Sequence, residues 1–240
     1  MTIDLICLDA DDTLWHNMRH FNGAEAAFAQ ILAPFVEAGI ARERLHAVEA
    51  VNLAHYGYGA KSFTLSMIET AVDLLGDAAA GRAVADILAV GRDLLAHPVE
   101  LLPGTAETLT ALAERGRLAL VTKGDLLHQE TKIAASGVGE LFSAIEIVSD
   151  KSVVTFERLF DRFGVTPERA VMAGDSMRSD VLPALGAGAW AAYIPQPDAW
   201  HHEAGDLPDQ HPRFRRLAAL TELPGWIDAI VTAAGMNQPG

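Results

Sequence analysis

Asp9 and Asp11 stand two residues apart in Asp9-Ala10-Asp11-Asp12-Thr13-Leu14, directly after the mostly apolar run Ile3-Asp4-Leu5-Ile6-Cys7-Leu8. Carboxylates at i and i+2 beyond a buried strand repel each other and lose hydration when covered. A divalent cation makes such a pair tolerable, and hard oxygen ligands suit magnesium. A turn in which Asp and Thr cap the next helix uses the same residue types. On this segment alone, metal chemistry and capping both stay open.

Three more polar clusters follow apolar runs. Thr122-Lys123-Gly124-Asp125 comes after Leu118-Ala119-Leu120-Val121, and Ser149-Asp150-Lys151 after Ala144-Ile145-Glu146-Ile147-Val148. Gly174-Asp175-Ser176-Met177-Arg178-Ser179-Asp180 comes after Ala170-Val171-Met172-Ala173, and Ala189 to Ile194 is a further run. Helix-forming stretches at 126–136, 153–163 and 181–185 lie between them, and this alternation predicts a parallel sheet with helices on both faces. Such sheets bind ligands at the carboxyl ends of their strands, so the four clusters should meet. A carboxylate pair, a hydroxyl, a lysine and a second acidic pair in one place suit metal-assisted phosphoryl chemistry.

The elements that position these groups are interrupted by a helical block. Phe21, Ala24, Phe28, Ile31, Leu32 and Phe35 recur at helical spacing, with Gly39 as the expected stop. Leu45, Val48 and Asn52 continue in a second helix up to the Tyr56-Gly57-Tyr58-Gly59 break. Phe63, Met67, Ala71 and Leu74 predict a third helix stopping near Gly76, and Val84, Ile87, Leu88, Leu94 and Leu95 a fourth ending before Pro98. The fold class expected is α/β: a Rossmann-like doubly wound parallel sheet core with an inserted all-helical domain. Residues 1–14 and 103–240 are assigned to the core and 15–102 to the insertion. A surface loop is expected from Pro195 through Pro212, including His201-His202, and a helical tail over 217–234.

Composition sets further bounds. The 240 residues carry 18 Lys and Arg against 32 Asp and Glu, a net charge of −14. That balance opposes a polyanionic partner, so no nucleic acid is expected. No apolar run reaches the roughly 18 residues of a membrane span, and no secretory signal is visible, so no membrane association and a cytoplasmic location are expected. Cys7, the only cysteine, lies within the first strand and reads as a buried structural thiol. Gly59-Ala60-Lys61-Ser62 lacks the glycine that a phosphate-binding P-loop needs before its lysine. Gly186 to Ala191 matches a dinucleotide pattern by letters but precedes a strand instead of following one. The nine histidines show no metal-ligand spacing.

Asp-x-Asp-x-Thr, then a Thr, a Lys and Gly-Asp-Ser-x-x-x-Asp, in this order, resemble the haloacid dehalogenase superfamily in its phosphatase branch. The resemblance covers the core on both sides of the helical block, whose place matches that family's cap. It implies a hydrolase that removes phosphate from a small phosphorylated metabolite. Asp9 would be the nucleophile, forming an aspartyl-phosphate, and Asp11 the acid and then the base. Magnesium would be held by Asp9, the backbone carbonyl of Asp11, Asp175 and Asp180. Thr122 and Lys151 would hold the phosphoryl oxygens.

Two departures from the family pattern stand out. Asp12 replaces a common Gly, where a left-handed backbone is expected that Asp tolerates better than most residues. Ser152 replaces the Pro that often follows the lysine. Further substrate contacts are expected from Trp15, His16, Lys123 and Lys61, the last on a glycine-flanked loop that is alternatively a plain helix–helix turn. A phosphomutase, a 2-haloacid dehalogenase and a non-catalytic binding protein of the same fold are the alternatives. Oligomeric state is not specified by the sequence.

Overall fold

Residues 2–197 and 205–236 are described in the computed structural model of the chain, and His201-His202 lie outside them. Six strands form one sheet: β1 (Leu5–Leu8), β2 (Arg117–Lys123), β3 (Ala144–Val148), β4 (Ala170–Gly174), β5 (Trp190–Tyr193) and β6 (Phe214–Arg216), in the order β3-β2-β1-β4-β5-β6. The helices are α1 (Met18–Leu32), α2 (Ala38–Tyr56), α3 (Ala60–Leu75), α4 (Asp77–Ala96), α5 (Thr105–Ala113), α6 (Leu126–Ser136), α7 (Val153–Phe163), α8 (Leu182–Gly186) and α9 (Leu223–Met236). The chain divides into two compact units, one of Met1–His16, Val99–Thr122 and Lys132–Gly240, the other of Asn17–Pro98 with Lys123–Thr131. Among the described residues no helix is long and apolar enough to cross a membrane.

The first unit is built around β1, which pairs in parallel with β2 and with β4. Alternate residues of β1 serve opposite layers. Leu5 and Cys7 join Phe156, Leu159 and Phe160 of α7. Ile6 and Leu8 join Leu109 and Leu112 of α5 and Leu223, Ile227 and Ile230 of α9. Burial on both faces is why these strands read as continuous apolar runs. Each large side chain fully buried in this way contributes about 1.5–3 kcal/mol. From β1 the sheet grows to β2 on one side and β4 on the other, so the switch point of the topology lies between β1 and β4. Loops at such a point diverge and leave a crevice at the strands' carboxyl ends. Asp9 follows β1 there, and Asp175 follows β4.

Several local expectations are corrected. Gly39 does not stop the first helix: α1 ends at Leu32, before Pro34, and Gly39 lies inside α2. Pro34 has no N–H to continue the ladder, so the break falls there. Phe35 lies beyond α1 and is exposed. The tail helix α9 starts at Leu223, after a 3-10 turn at Leu220–Glu222. Two elements had no counterpart in the sequence reading, α5 and the edge strand β6, whose Phe-Arg-Arg has no apolar run.

The helical unit packs Phe28, Leu32, Leu45, Phe63, Met67 and Ile87 into its own core. Gly57 and Gly59, both with positive φ, separate α2 from α3. Glu49 on α2 is buried without a positive partner strong enough to hold it ionised. Burial pushes its carboxyl up to about 7, opposed by His46 and reinforced by repulsion from Glu25. The folded state therefore holds more protons than the unfolded chain between about pH 4.5 and 7, and stability falls as pH rises through that window. The loss levels off above pH 7 at no more than about 3 kcal/mol. Glu49→Gln should accordingly gain stability over the parent at pH 8 and not at pH 5, measured by thermal unfolding. A difference that does not change with pH would contradict this.

Candidate active site

Asp9 is placed by the sheet itself, its N–H donating to the Ala173 carbonyl at 3.0 Å. The turn after it is tight. Leu14 N–H donates to Ala10 O at 2.8 Å, and Asp12 adopts φ 58°, the only positive φ at a non-glycine among the described residues. The left-handed position expected at Asp12 is therefore present. The capping alternative is not: α1 starts at Met18, and the Thr13 hydroxyl accepts from Asp175 N–H at 3.1 Å, tying the β1 loop to the β4 loop.

Asp175 and Asp180 come from the segment after β4. A five-residue π-type turn, Met177–Val181, carries Asp180 back toward the strand. Such turns concentrate at functional sites because they re-aim a side chain. Ser176, not Asp175, caps this turn, accepting from Ser179 N–H at 2.8 Å. Asp180 is fully buried, with Oδ2 accepting from Ser176 N–H at 3.0 Å and Oδ1 from Lys151 Nζ at 2.7 Å. Its carboxylate lies against Gly174, where a Cβ would come within 2.1 Å of Oδ2. Gly174 is glycine for space.

Lys151 is buried, which removes the reading of a solvated surface lysine. Its Nζ bridges Asp9 Oδ1 and Asp180 Oδ1. Ser152 caps α7 in a capping box with Thr155, so the lysine's backbone is fixed without the family's proline. Oxygens of Asp9, Asp175 and Asp180 lie within 4.8 Å of one another. Against these three carboxylates Lys151 supplies one ammonium, leaving two negative charges in excess, and an all-oxygen donor set of that charge fits a hard divalent cation.

The electrostatics follow from that excess. Burial pushes the Asp9 carboxyl up to about 7 despite Lys151, with Asp180 and Asp11 adding repulsion. Burial, then repulsion from Asp9, Asp180 and Asp12, holds Asp175 well above the usual carboxylate range. For Lys151 burial acts to discharge the ammonium, but Asp180 and Asp9 outweigh it and raise its pKa. Buried Cys7 is pushed up to about 12, so its thiol stays protonated and inert, as expected for a structural cysteine.

Asp11 is set apart. Its carboxylate accepts from Trp15 Nε1 at 2.7 Å and from Lys132 Nζ at 2.5 and 2.7 Å. Thr122 is buried near the end of β2, two residues past the Leu8–Leu120 pair. Trp15 has surroundings other than those of the expected substrate contact: it is wholly buried in the sheet's core, with its indole on Asp11. His16 is half-buried, its N–H on the Glu100 carbonyl. Lys61 and Lys123 belong to the helical unit, Lys61 paired with Asp125 at 2.8 Å and Lys123 over the Tyr58 ring at 4.0 Å. Lys132 was missed. The available signal was a lysine beside apolar Ile133, on the face of α6 where His128 and Gln129 are also buried.

Residues 3–188 match the model of the haloacid dehalogenase-like hydrolases. The chain belongs to this family. A haloacid dehalogenase-like hydrolase from Xanthomonas campestris has the same fold, with TM-score 0.88 and 39% identity over 98% of this chain and 99% of that one. A glyceraldehyde 3-phosphate phosphatase from Methanothermobacter thermautotrophicus is 31% identical over 38% of this chain and 43% of its own length. An N-acylneuraminate-9-phosphatase from Rattus norvegicus is 28% identical over 54% of this chain and 52% of its own. The chain thus spans about half the length of the curated relatives it matches.

Proposed function

We propose that this hydrolase is a magnesium-dependent phosphatase that removes phosphate from a small phosphorylated metabolite through a phosphorylated Asp9. The observation that carries the reading is the separation of two carboxylates on one loop. Asp9 sits in the cluster with Lys151, Asp175 and Asp180, whereas the Asp11 carboxylate is held outside it by Lys132 and Trp15. In this reading one carboxylate serves for attack and the other for proton transfer.

In this reading an oxygen of Asp9 attacks phosphorus and the bond to the leaving oxygen breaks, that oxygen taking its proton from Asp11. Water then attacks the aspartyl-phosphate, Asp11 takes the water's proton, and phosphate leaves with Asp9 regenerated. Lys151 and the Thr122 hydroxyl hold the phosphoryl oxygens as charge spreads over them. Asp9, Asp175 and Asp180, with the Asp11 carbonyl, are the groups that would hold magnesium. Bound there, the cation adds Lewis-acid stabilisation of phosphoryl charge. His16, in the same unit as Asp9, is a candidate for recognising the rest of the substrate. The single buried thiol suits a cytoplasmic setting.

Asp11 favours a phosphatase over a dehalogenase, since a departing halide needs no proton. Phosphate release from an aryl phosphate and from a panel of phosphorylated metabolites, with and without magnesium, tests the reading. Magnesium-dependent release with oxygen from labelled water in the phosphate is expected. Halide release from a 2-haloacid without phosphatase activity would overturn it, and transfer of phosphate to a sugar hydroxyl without label would make it a mutase.

A further inference from the structure

We infer that Lys132 is a positioning residue for the proton-transfer step, acting through Asp11; this rests on the phosphatase reading above. Lys132 projects from α6, the helix that follows β2, and its side chain reaches the loop after β1. Its side chain is only 5% exposed and that of Asp11 22% exposed. A lysine so buried loses its hydration, and a structure keeps it there only against a compensating anion.

The compensation is specific in geometry. Lys132 Nζ lies 2.5 Å from Asp11 Oδ1 and 2.7 Å from Oδ2, a grip on both oxygens. Trp15 Nε1 donates to Oδ1 from the other chain direction at 2.7 Å. The indole is itself fixed, because Trp15 is wholly buried and its carbonyl accepts from Asp12 N–H at 2.8 Å. A carboxyl on a loop, free to turn about two side-chain bonds, is thereby held in one orientation. Fixing the carboxyl group in this way removes the freedom that otherwise dilutes its effective concentration at the leaving oxygen, and the ammonium stabilises the carboxylate formed as the proton departs.

A merely structural tie between α6 and the loop would affect all substrates alike. A positioning role affects most those whose leaving oxygen needs a proton. The test is first-turnover release of the leaving alcohol by Lys132→Met and, separately, by Trp15→Phe, each compared with the parent on an alkyl phosphate and on a dinitrophenyl phosphate. The first turnover isolates bond cleavage from the later hydrolysis of the intermediate. Lys132→Met is expected to slow alkyl release by at least about 30-fold and dinitrophenyl release by less than about 3-fold. Trp15→Phe should show the same imbalance to a smaller degree, and it supplies the answer where Lys132→Met fails to fold by circular dichroism. Equal losses on both substrates, or none, would overturn the inference. A parent inactive on both phosphates would instead sink the phosphatase reading.

Discussion

Asp9→Asn is expected to lower kcat/KM for any accepted phosphate ester by at least about 1,000-fold, as removal of a covalent nucleophile does elsewhere. The amide keeps the size and planarity of the side chain, and the backbone bond from residue 9 to Ala173 O is untouched. Folding should therefore survive. It should even improve at neutral pH, because the substitution removes one of three buried carboxylates whose mutual repulsion and burial hold Asp9 and Asp175 above their ordinary pKa. Activity and stability thus move in opposite directions, a combination that general damage to the fold does not produce. Steady-state kinetics with a thermal melt on the same samples checks it. Residual turnover within tenfold of the parent would exclude Asp9 as the nucleophile.

Gly174→Ala should also be damaging, by about a tenth as much, although residue 174 has no side chain to lose. Its Cβ would meet Asp180 at 2.1 Å from Oδ2, 2.4 Å from Cγ and 2.9 Å from Cβ. Asp180 must then shift, and its contacts with Lys151 and Ser176 N–H cannot both persist. A divalent cation would lose one of its three carboxylates, and Lys151 one of its two anchors. Displacing a group that supports a metal site costs about 10–100-fold in affinity or activity, and the upper end is expected here. Magnesium should raise the melting temperature of the parent, by preferential binding to the folded chain, and should do so far less in the variant. Gly225→Ala on α9 is the control, because an added Cβ there meets nothing within 4 Å. Loss of the magnesium effect in both variants, or in neither, would contradict the role given to Gly174.

What could be read from the chain and what could not divides along physical lines. Strands β1, β2 and β4 were legible because burial on both faces writes them as apolar runs. β6 was not, since an edge strand of three residues with two arginines needs no such run. The left-handed turn at Asp12 was legible through the family resemblance, whose pattern commonly has Gly at that position, and Asp tolerates positive φ better than most residues. The partners of Asp9 were legible because strand ends in a parallel sheet converge. Lys132 and Trp15 were harder. Both reach Asp11 through helix and loop geometry, and nothing in the spacing of Thr122 and Lys132 says that the lysine turns inward. The mistaken stop at Gly39 has a similar origin: a glycine near a boundary reads as a cap, whereas Pro34, with no N–H to donate, ends α1 first.

The central claim is that phosphate passes through Asp9, and chemical trapping tests it most directly. Borohydride added during turnover reduces an aspartyl-phosphate to homoserine, and peptide mass spectrometry locates the change. Reduction at residue 9, dependent on both substrate and magnesium and absent in Asp9→Asn, is the predicted result. Turnover without any reduced aspartate, or reduction at Asp11 or Asp175 in place of Asp9, would contradict it.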